Sequence, residues 1–216
     1  MADVKFCGLT RAVDAKVGGA LGAAYLGVIF AGGPRHLDAA SAREVLDGAG
    51  ASSRSRRVGV FGAQPAEVIA ATAAAAALDV VQLHVASDAA LVDALRLRFS
   101  GEIWRVVRVS DLADPTALRA ADAGVDAVLV DALVPGTLGG AGVAVDWERL
   151  ASALDRVGRP RRLVLAGGLR PENVERAIGL VAPDVVDVSS GVESTPGIKD
   201  HATMRAFAES AARGGR

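Results

Sequence analysis

Val4-Lys5-Phe6-Cys7-Gly8-Leu9-Thr10 opens the chain with a short apolar run that breaks at a glycine. The turn after a first strand separates the two common parallel architectures. A doubly wound open sheet wants a G-x-G-x-x-G fingerprint between strand one and helix one. Cys7-Gly8-Leu9-Thr10 does not supply it, and no phosphate-loop pattern occurs elsewhere. Strand one is expected over Val4–Leu9, and, working outward, similar runs recur at Tyr25–Phe30, Arg57–Phe61, Val80–His84, Ile103–Val109, Ala127–Asp131, Arg162–Ala166 and Val185–Ser189. They are continuously apolar rather than alternating, as strands covered on both faces are. Between and after them lie eight helix-like segments: Arg11–Leu21, Ala40–Asp47, Pro65–Ala77, Asp88–Phe99, Asp114–Ala123, Asp146–Val157, Pro171–Val181 and Lys199–Ala212. Pro65 and Pro171 suit a first helical turn, and Ser41, Ser87 or Asp146 suit a cap.

This strict α/β alternation predicts a single (β/α)₈ TIM barrel spanning residues 1–216. A unit averages about 27 residues, which is short but workable for a fold that usually runs to about 250. Little chain is left for a second domain, so chemistry belongs in the loops after the strands. The polar, glycine-rich Gly48–Arg56 segment precedes strand three and reads as a flexible loop on the opposite face.

The hydrophobic fraction of 51% is ample for a large core, much of it alanine suited to helix–sheet packing. A net charge of −1 gives no reason to expect a nucleic-acid or membrane partner. No apolar stretch approaches the ~20 residues of a membrane span, and the N-terminus lacks the apolar core of a signal peptide. One cysteine permits no intrachain disulfide. These features predict a soluble, cytoplasmic chain with a reduced thiol. The aromatic fraction of 4% gives no obvious interface, so a monomer is expected.

In a barrel, catalytic groups sit at the C-terminal ends of strands. Two candidates stand there. Cys7 falls at the end of strand one, and Asp131 ends the apolar run Ala127-Val128-Leu129-Val130. A carboxylate in such a place is costly to bury unless the site uses it. Strands one and six lie across the mouth from each other, so a thiol and a carboxyl could address opposite sides of a small substrate as base and acid. The plainer alternatives are a cysteine acting as a small hydrophobe and an aspartate capping a loop.

The last two strands end in Ala166-Gly167-Gly168-Leu169 and Ser189-Ser190-Gly191-Val192. Glycine lets backbone N–H groups approach an anion, and serine hydroxyls can donate directly. At positions seven and eight of a barrel, such turns predict a phosphate site rather than ordinary tight turns. Gly167, Gly168, Ser189, Ser190 and Gly191 are therefore candidate substrate contacts. Arg35, after strand two, could bind an anionic group, and His84, ending strand four, could line the mouth. His36, His84 and His201 show no metal-ligand spacing.

These residues, in order along essentially the whole chain, resemble the phosphoribosylanthranilate isomerases. The resemblance rests on Lys5-Phe6-Cys7-Gly8-Leu9-Thr10, Leu26-Gly27-Val28-Ile29-Phe30 with Pro34-Arg35, and Val81-Gln82-Leu83-His84. It continues through Val130-Asp131, Gly139-Gly140-Ala141-Gly142 with Asp146-Trp147, and Leu165-Ala166-Gly167-Gly168-Leu169 with Pro171-Glu172-Asn173-Val174. It closes with Asp187-Val188-Ser189-Ser190-Gly191-Val192-Glu193 and Pro196-Gly197-Ile198-Lys199-Asp200. The resemblance implies an Amadori rearrangement of N-(5′-phosphoribosyl)anthranilate in tryptophan biosynthesis. It implies Cys7 as general base, Asp131 as general acid, Arg35 on the anthranilate side, and Gly168, Ser190 and Gly191 on the phosphate. It implies no metal and no cofactor. The chain departs from the family pattern at Val143, where lysine is common, and at Ala141, Val85 and Gly33. Two other readings stay open: a related barrel isomerase of another amino-sugar phosphate, and a non-catalytic phosphosugar-binding barrel.

Overall fold

The structure is a computed structural model that describes residues 1–84, 89–108, 121–131 and 147–215. Eight parallel strands close into a barrel in sequence order: β1 (Asp3–Phe6), β2 (Tyr25–Ile29), β3 (Arg56–Phe61), β4 (Val80–Leu83), β5 (Glu102–Arg108), β6 (Ala127–Asp131), β7 (Leu163–Ala166) and β8 (Val185–Val188). Seven α-helices lie among the described residues: α1 (Ala12–Ala20), α2 (Ala39–Asp47), α3 (Ala66–Ala75), α4 (Ala89–Arg96), α5 (Trp147–Val157), α6 (Val174–Val181) and α7 (His201–Gly214). The expected helix over Asp114–Ala123 falls almost wholly outside the described residues, as do Ser87, Asp146, Val85, Ala141 and Val143.

Side chains alternate across each strand, and the two faces build two cores. Phe6, Leu26, Val28, Val81, Val128 and Leu165 point outward and pack with helix residues such as Ile69, Ile178 and Phe207. Tyr25, Val58, Val80, Trp104, Leu129 and Val164 point inward and fill the barrel. The barrel is therefore a packed core and not a pore.

Four strands end one residue earlier than their apolar runs, and β1 ends three residues before the expected Leu9. At β1 the reason is Gly8, whose φ of +69° turns the chain out of the ladder. Cys7 sits one residue past β1 but stays anchored, its N–H donating to the Val188 carbonyl at 2.9 Å. Helix starts shift for identifiable reasons. Asp38, not Ser41, caps α2, and its side chain accepts from the Ser41 N–H. Pro171 precedes α6 by three residues because Asn173 first closes a turn, accepting from Arg170 N and donating to Gly168 O. Lys199 is not helical: Glu193–Thr195 (β9) and Ile198–Lys199 (β10) form a small antiparallel hairpin, and α7 begins after Asp200, which caps it. The loop between α2 and β3 lies at the N-terminal end of the barrel as expected, and is pinned there by Ser55 Oγ donating to Ala23 O at 2.6 Å.

That N-terminal end is closed by charge. Glu102, at the start of β5, accepts from Arg56, from Arg162 at 3.1 Å and from Trp104 Nε1 at 2.9 Å. Arg162 also donates to Tyr25 Oη, and the Tyr25 ring meets Trp104 edge-on at 4.8 Å. Burial works against the Glu102 carboxylate, but these hydrogen bonds and arginines outweigh it and hold the carboxyl below its usual pKa. Glu102→Ala should cost about 2–3 kcal/mol, because three donors lose a half-buried charged acceptor. A urea midpoint unchanged from wild type would show the plug to be dispensable. With a depressed folded-state pKa, the Glu102 contribution is fully present above the unfolded carboxylate pKa and is lost as pH falls from there through the lower folded-state pKa.

Candidate active site

Inward-facing residues at the C-terminal strand ends open into one cavity. Cys7 comes from β1, Gln82 and His84 from β4, Asp131 from β6, and the two glycine turns from β7 and β8. The structure thus brings together Cys7, Asp131, His84, Gly167, Gly168, Ser189, Ser190 and Gly191. Arg35 does not line this cavity. It stands at the rim beside Gly8, where a β-carbon would lie 2.6 Å from Arg35 Cδ and 2.8 Å from Ser189 Oγ. Only glycine lets the arginine stem and the serine hydroxyl close over the end of β1.

The two glycine turns depend on each other. Gly167 and Gly168 have φ of +93° and +67°. A β-carbon on Gly191 would fall 1.9 Å from the Leu169 carbonyl oxygen. The turn after β8 therefore abuts the turn after β7 through bare backbone. Beyond Ser189 the chain makes a short 3₁₀ turn from Ser190 to Val192. Ser189 Oγ is buried and has no hydrogen-bond partner among the described residues, and the same holds for Gln82 Oε1. Buried polar atoms facing a cavity without partners are costly unless a ligand supplies them.

Beneath the thiol lies a charge pair that local sequence patterning does not single out as a site. Lys5, fully buried, donates from Nζ to Asp187 Oδ1 at 2.9 Å inside the barrel. Lys5 and Cys7 alternate on β1, so both point inward. Gly27 of β2 makes room for them: a β-carbon there would sit 3.2 Å from Cys7 Sγ and 3.3 Å from Lys5 Cε. Burial works against the Lys5 ammonium, but Asp187 and Cys7 more than offset it and its pKa lies above the ordinary lysine value. Burial pushes the Cys7 thiol up; Lys5 opposes this, Asp187 reinforces it, and the thiol stays above its ordinary value. A signal for the pair is present in the sequence: a lysine and an aspartate inside otherwise apolar runs.

A parallel barrel whose strand ends present a thiol, a carboxyl and two abutting glycine turns to one cavity has the build of a (β/α)₈-barrel enzyme. The chain belongs to the N-(5′-phosphoribosyl)anthranilate (PRA) isomerase family, whose model matches residues 4–210. It is 41% identical over 211 residues to the N-(5′-phosphoribosyl)anthranilate isomerase of Acidithiobacillus ferrooxidans, covering 96% of each chain. Its fold is similar to the phosphoribosyl anthranilate isomerase of Thermotoga maritima, with a TM-score of 0.84, 34% identity and coverage of 98% of this chain and 99% of that one. A further solved phosphoribosyl anthranilate isomerase, in complex with reduced 1-(o-carboxyphenylamino)-1-deoxyribulose 5-phosphate, matches with a TM-score of 0.80 and 32% identity over 98% of this chain and 99% of that one. Among the described residues no group of three or more His, Cys, Asp or Glu is placed to hold a metal ion, and no helix is long and apolar enough to cross a membrane.

Alkylation of Cys7 by iodoacetamide should rise with pH around a midpoint above the ordinary thiol value. Lys5→Met should move that midpoint further up, and Asp187→Asn should move it down, since one removes a neighbouring cation and the other an anion. Identical midpoints in all three proteins would show that the pair does not act on the thiol.

Proposed function

We propose that this chain, an isomerase of the PRA isomerase family, converts N-(5′-phosphoribosyl)anthranilate to 1-(2-carboxyphenylamino)-1-deoxyribulose 5-phosphate, with Cys7 as general base and Asp131 as general acid. The observation that carries the reading is the shared cavity: Cys7 and Asp131 open into it from β1 and β6, beside two glycine turns suited to a phosphate.

The chemistry needs two proton transfers. Asp131, as the carboxylic acid, gives a proton to the furanose ring oxygen, and the C1′–O bond breaks to leave a Schiff base with the anthranilate nitrogen. The Cys7 thiolate takes the proton from C2′. Electrons from that C–H bond move toward the iminium nitrogen and give an enolamine. Tautomerisation adds a proton at C1′ and releases one from O2′; the enzyme is left with Asp131 deprotonated and Cys7 protonated, and proton exchange with solvent returns both groups to their starting states. The substrate nitrogen serves as the electron sink, so these steps call on no added cofactor. Lys5 supports the thiolate as its nearest cation.

Binding divides between the ends of the substrate. The phosphate belongs at the turns of Gly167, Gly168, Ser189, Ser190 and Gly191, where the unpartnered Ser189 hydroxyl would gain an acceptor. His84, exposed at the end of β4, faces the same cavity and lines the sugar's approach. Arg35 at the rim would meet the anthranilate carboxylate. In this reading the chain is a cytoplasmic monomer. In support, the exposed large apolar side chains among the described residues, Met1, Val13, Val68, Leu97 and Ile198, belong to different elements and loops. Sedimentation should give one species near the chain mass of 21.9 kDa, and a species of twice that mass would overturn the assignment.

Loss of phosphoribosylanthranilate fluorescence, with substrate generated in place, measures turnover directly. Wild type should be active. Cys7→Ala and Asp131→Asn should each lose roughly 10²–10⁴-fold in kcat while remaining folded. A folded wild type without turnover would reject the reaction. Turnover that survives either substitution would reject that residue's role.

A further inference from the structure

The rim of the cavity carries a chain of charges that the acid–base pair does not use. Glu193, the first residue of β9, has a side chain only 4% exposed. Its two carboxylate oxygens accept from Arg35 Nε at 2.8 Å and Arg35 Nη2 at 2.5 Å, a parallel fork. Lys199, fully buried on β10, donates from Nζ to Glu193 Oε1 at 2.8 Å and to the Ser189 carbonyl at 3.1 Å. The connection therefore runs from Arg35 through Glu193 and Lys199 to the turn after β8. Burial pushes the Glu193 carboxyl up, but the two cations outweigh it and hold its pKa below the usual value.

Arg35 needs such a partner. It follows Gly32, Gly33 and Pro34 in the turn after β2, where the two glycines have φ values of +97° and +85°, and among the described residues no packing within that turn fixes where the guanidinium points. A free arginine side chain carries about 2 kcal/mol of rotamer entropy. The fork uses the Nε–Nη2 edge and leaves Nη1 without a partner among the described residues. The three charges sum to one positive, in a place largely shielded from water.

We propose that Glu193 is a positioning residue for substrate binding: it aims Arg35 at the substrate's ring carboxylate and, through Lys199, sets that subsite at a fixed distance from the phosphate turn. The proposal rests on the reading of Arg35 as a carboxylate contact. It predicts a defect in binding rather than in proton transfer. Removing the Glu193 carboxylate frees Arg35 to rotate and leaves two neighbouring cations to repel each other. The subsite keeps its guanidinium but loses the anion that aims it.

The test is a double-mutant cycle on kcat and KM for phosphoribosylanthranilate, using wild type, Glu193→Gln, Arg35→Met and the double variant, with folding checked by urea denaturation. Glu193→Gln should raise KM on the order of tenfold with kcat within about threefold, the pattern of lost uniform binding. Arg35→Met should raise KM further. The double variant should match Arg35→Met alone, because Glu193 acts through the arginine. Glu193→Asp, which keeps the charge but shortens the reach, should fall between wild type and Glu193→Gln, and it stands in if the glutamine variant fails to fold. An Arg35→Met KM equal to wild type would overturn the arginine reading and this inference with it. A raised KM in Arg35→Met combined with no effect, or a fully multiplicative effect, of the Glu193 substitution would overturn this inference alone.

Discussion

The barrel closes where β1 meets β8, and the ion pair between Lys5 and Asp187 sits on that seam, between residues directly opposite in register. A buried ion pair is a weak source of net stability, since desolvation takes back most of the attraction. Its stronger effect is on register. Slipping β8 by one residue would turn Asp187 toward the helices and leave Lys5 charged and unpaired inside the barrel. Breaking such a pair costs about 3–5 kcal/mol, a large share of a typical domain's stability. The pair therefore selects one closure among several that the apolar residues alone would tolerate. It also sets the site. Cys7 and Ser189 each lie two residues beyond the pair along the chain, so the thiol and the turn after β8 inherit their relative heights from it.

Much of this was legible in the sequence, for a physical reason. Strands covered on both faces must be apolar throughout, so each announces itself without alternation, and a charged residue within or ending one is conspicuous. Asp131 is found this way. Lys5 and Asp187 obey the same rule from inside their strands, and Gly27, which looks like a weak point in β2, marks the close approach of the thiol and the lysine stem. The β9–β10 hairpin escapes because its strands are three and two residues long, too short for any periodicity to show. Pro196-Gly197 signals a turn there, but nothing local says what it joins. The Arg35–Glu193 fork spans 158 residues of sequence, and no local pattern could pair them. Contacts between distant loops are the part of a site that a single sequence hides.

The two ends of the barrel use charge in opposite ways. At the N-terminal end Glu102 collects Arg56, Arg162 and the Trp104 indole into one plug over the aromatic floor. These partners all come from near the starts of strands, so the network ties β3, β5 and β7 together and offers nothing to a ligand. At the C-terminal end β1, β7 and β8 run into turns that contain glycine, and the polar groups there do not all find partners among the described residues. Arg35, Glu193 and Lys199 together carry one cation in excess, and two buried polar atoms face the cavity unpartnered among the described residues. One end uses its polarity on the fold; the other keeps some in reserve for a molecule that arrives.

The raised thiol pKa bears on the proposed role of Cys7 as a base. A cysteine that acts as a nucleophile gains from a depressed pKa, because the thiolate population limits it. A cysteine that removes a proton from carbon faces a second demand, since a thiolate that forms too easily is a poor base. Burial around Cys7 raises its basicity, and Lys5 keeps the thiolate from becoming inaccessible. Asp187 balances the lysine: it holds the ammonium in the barrel and limits how far that charge can depress the thiol. The seam pair is thus the register device of the fold, and under the proposed reading it is also what adjusts the base.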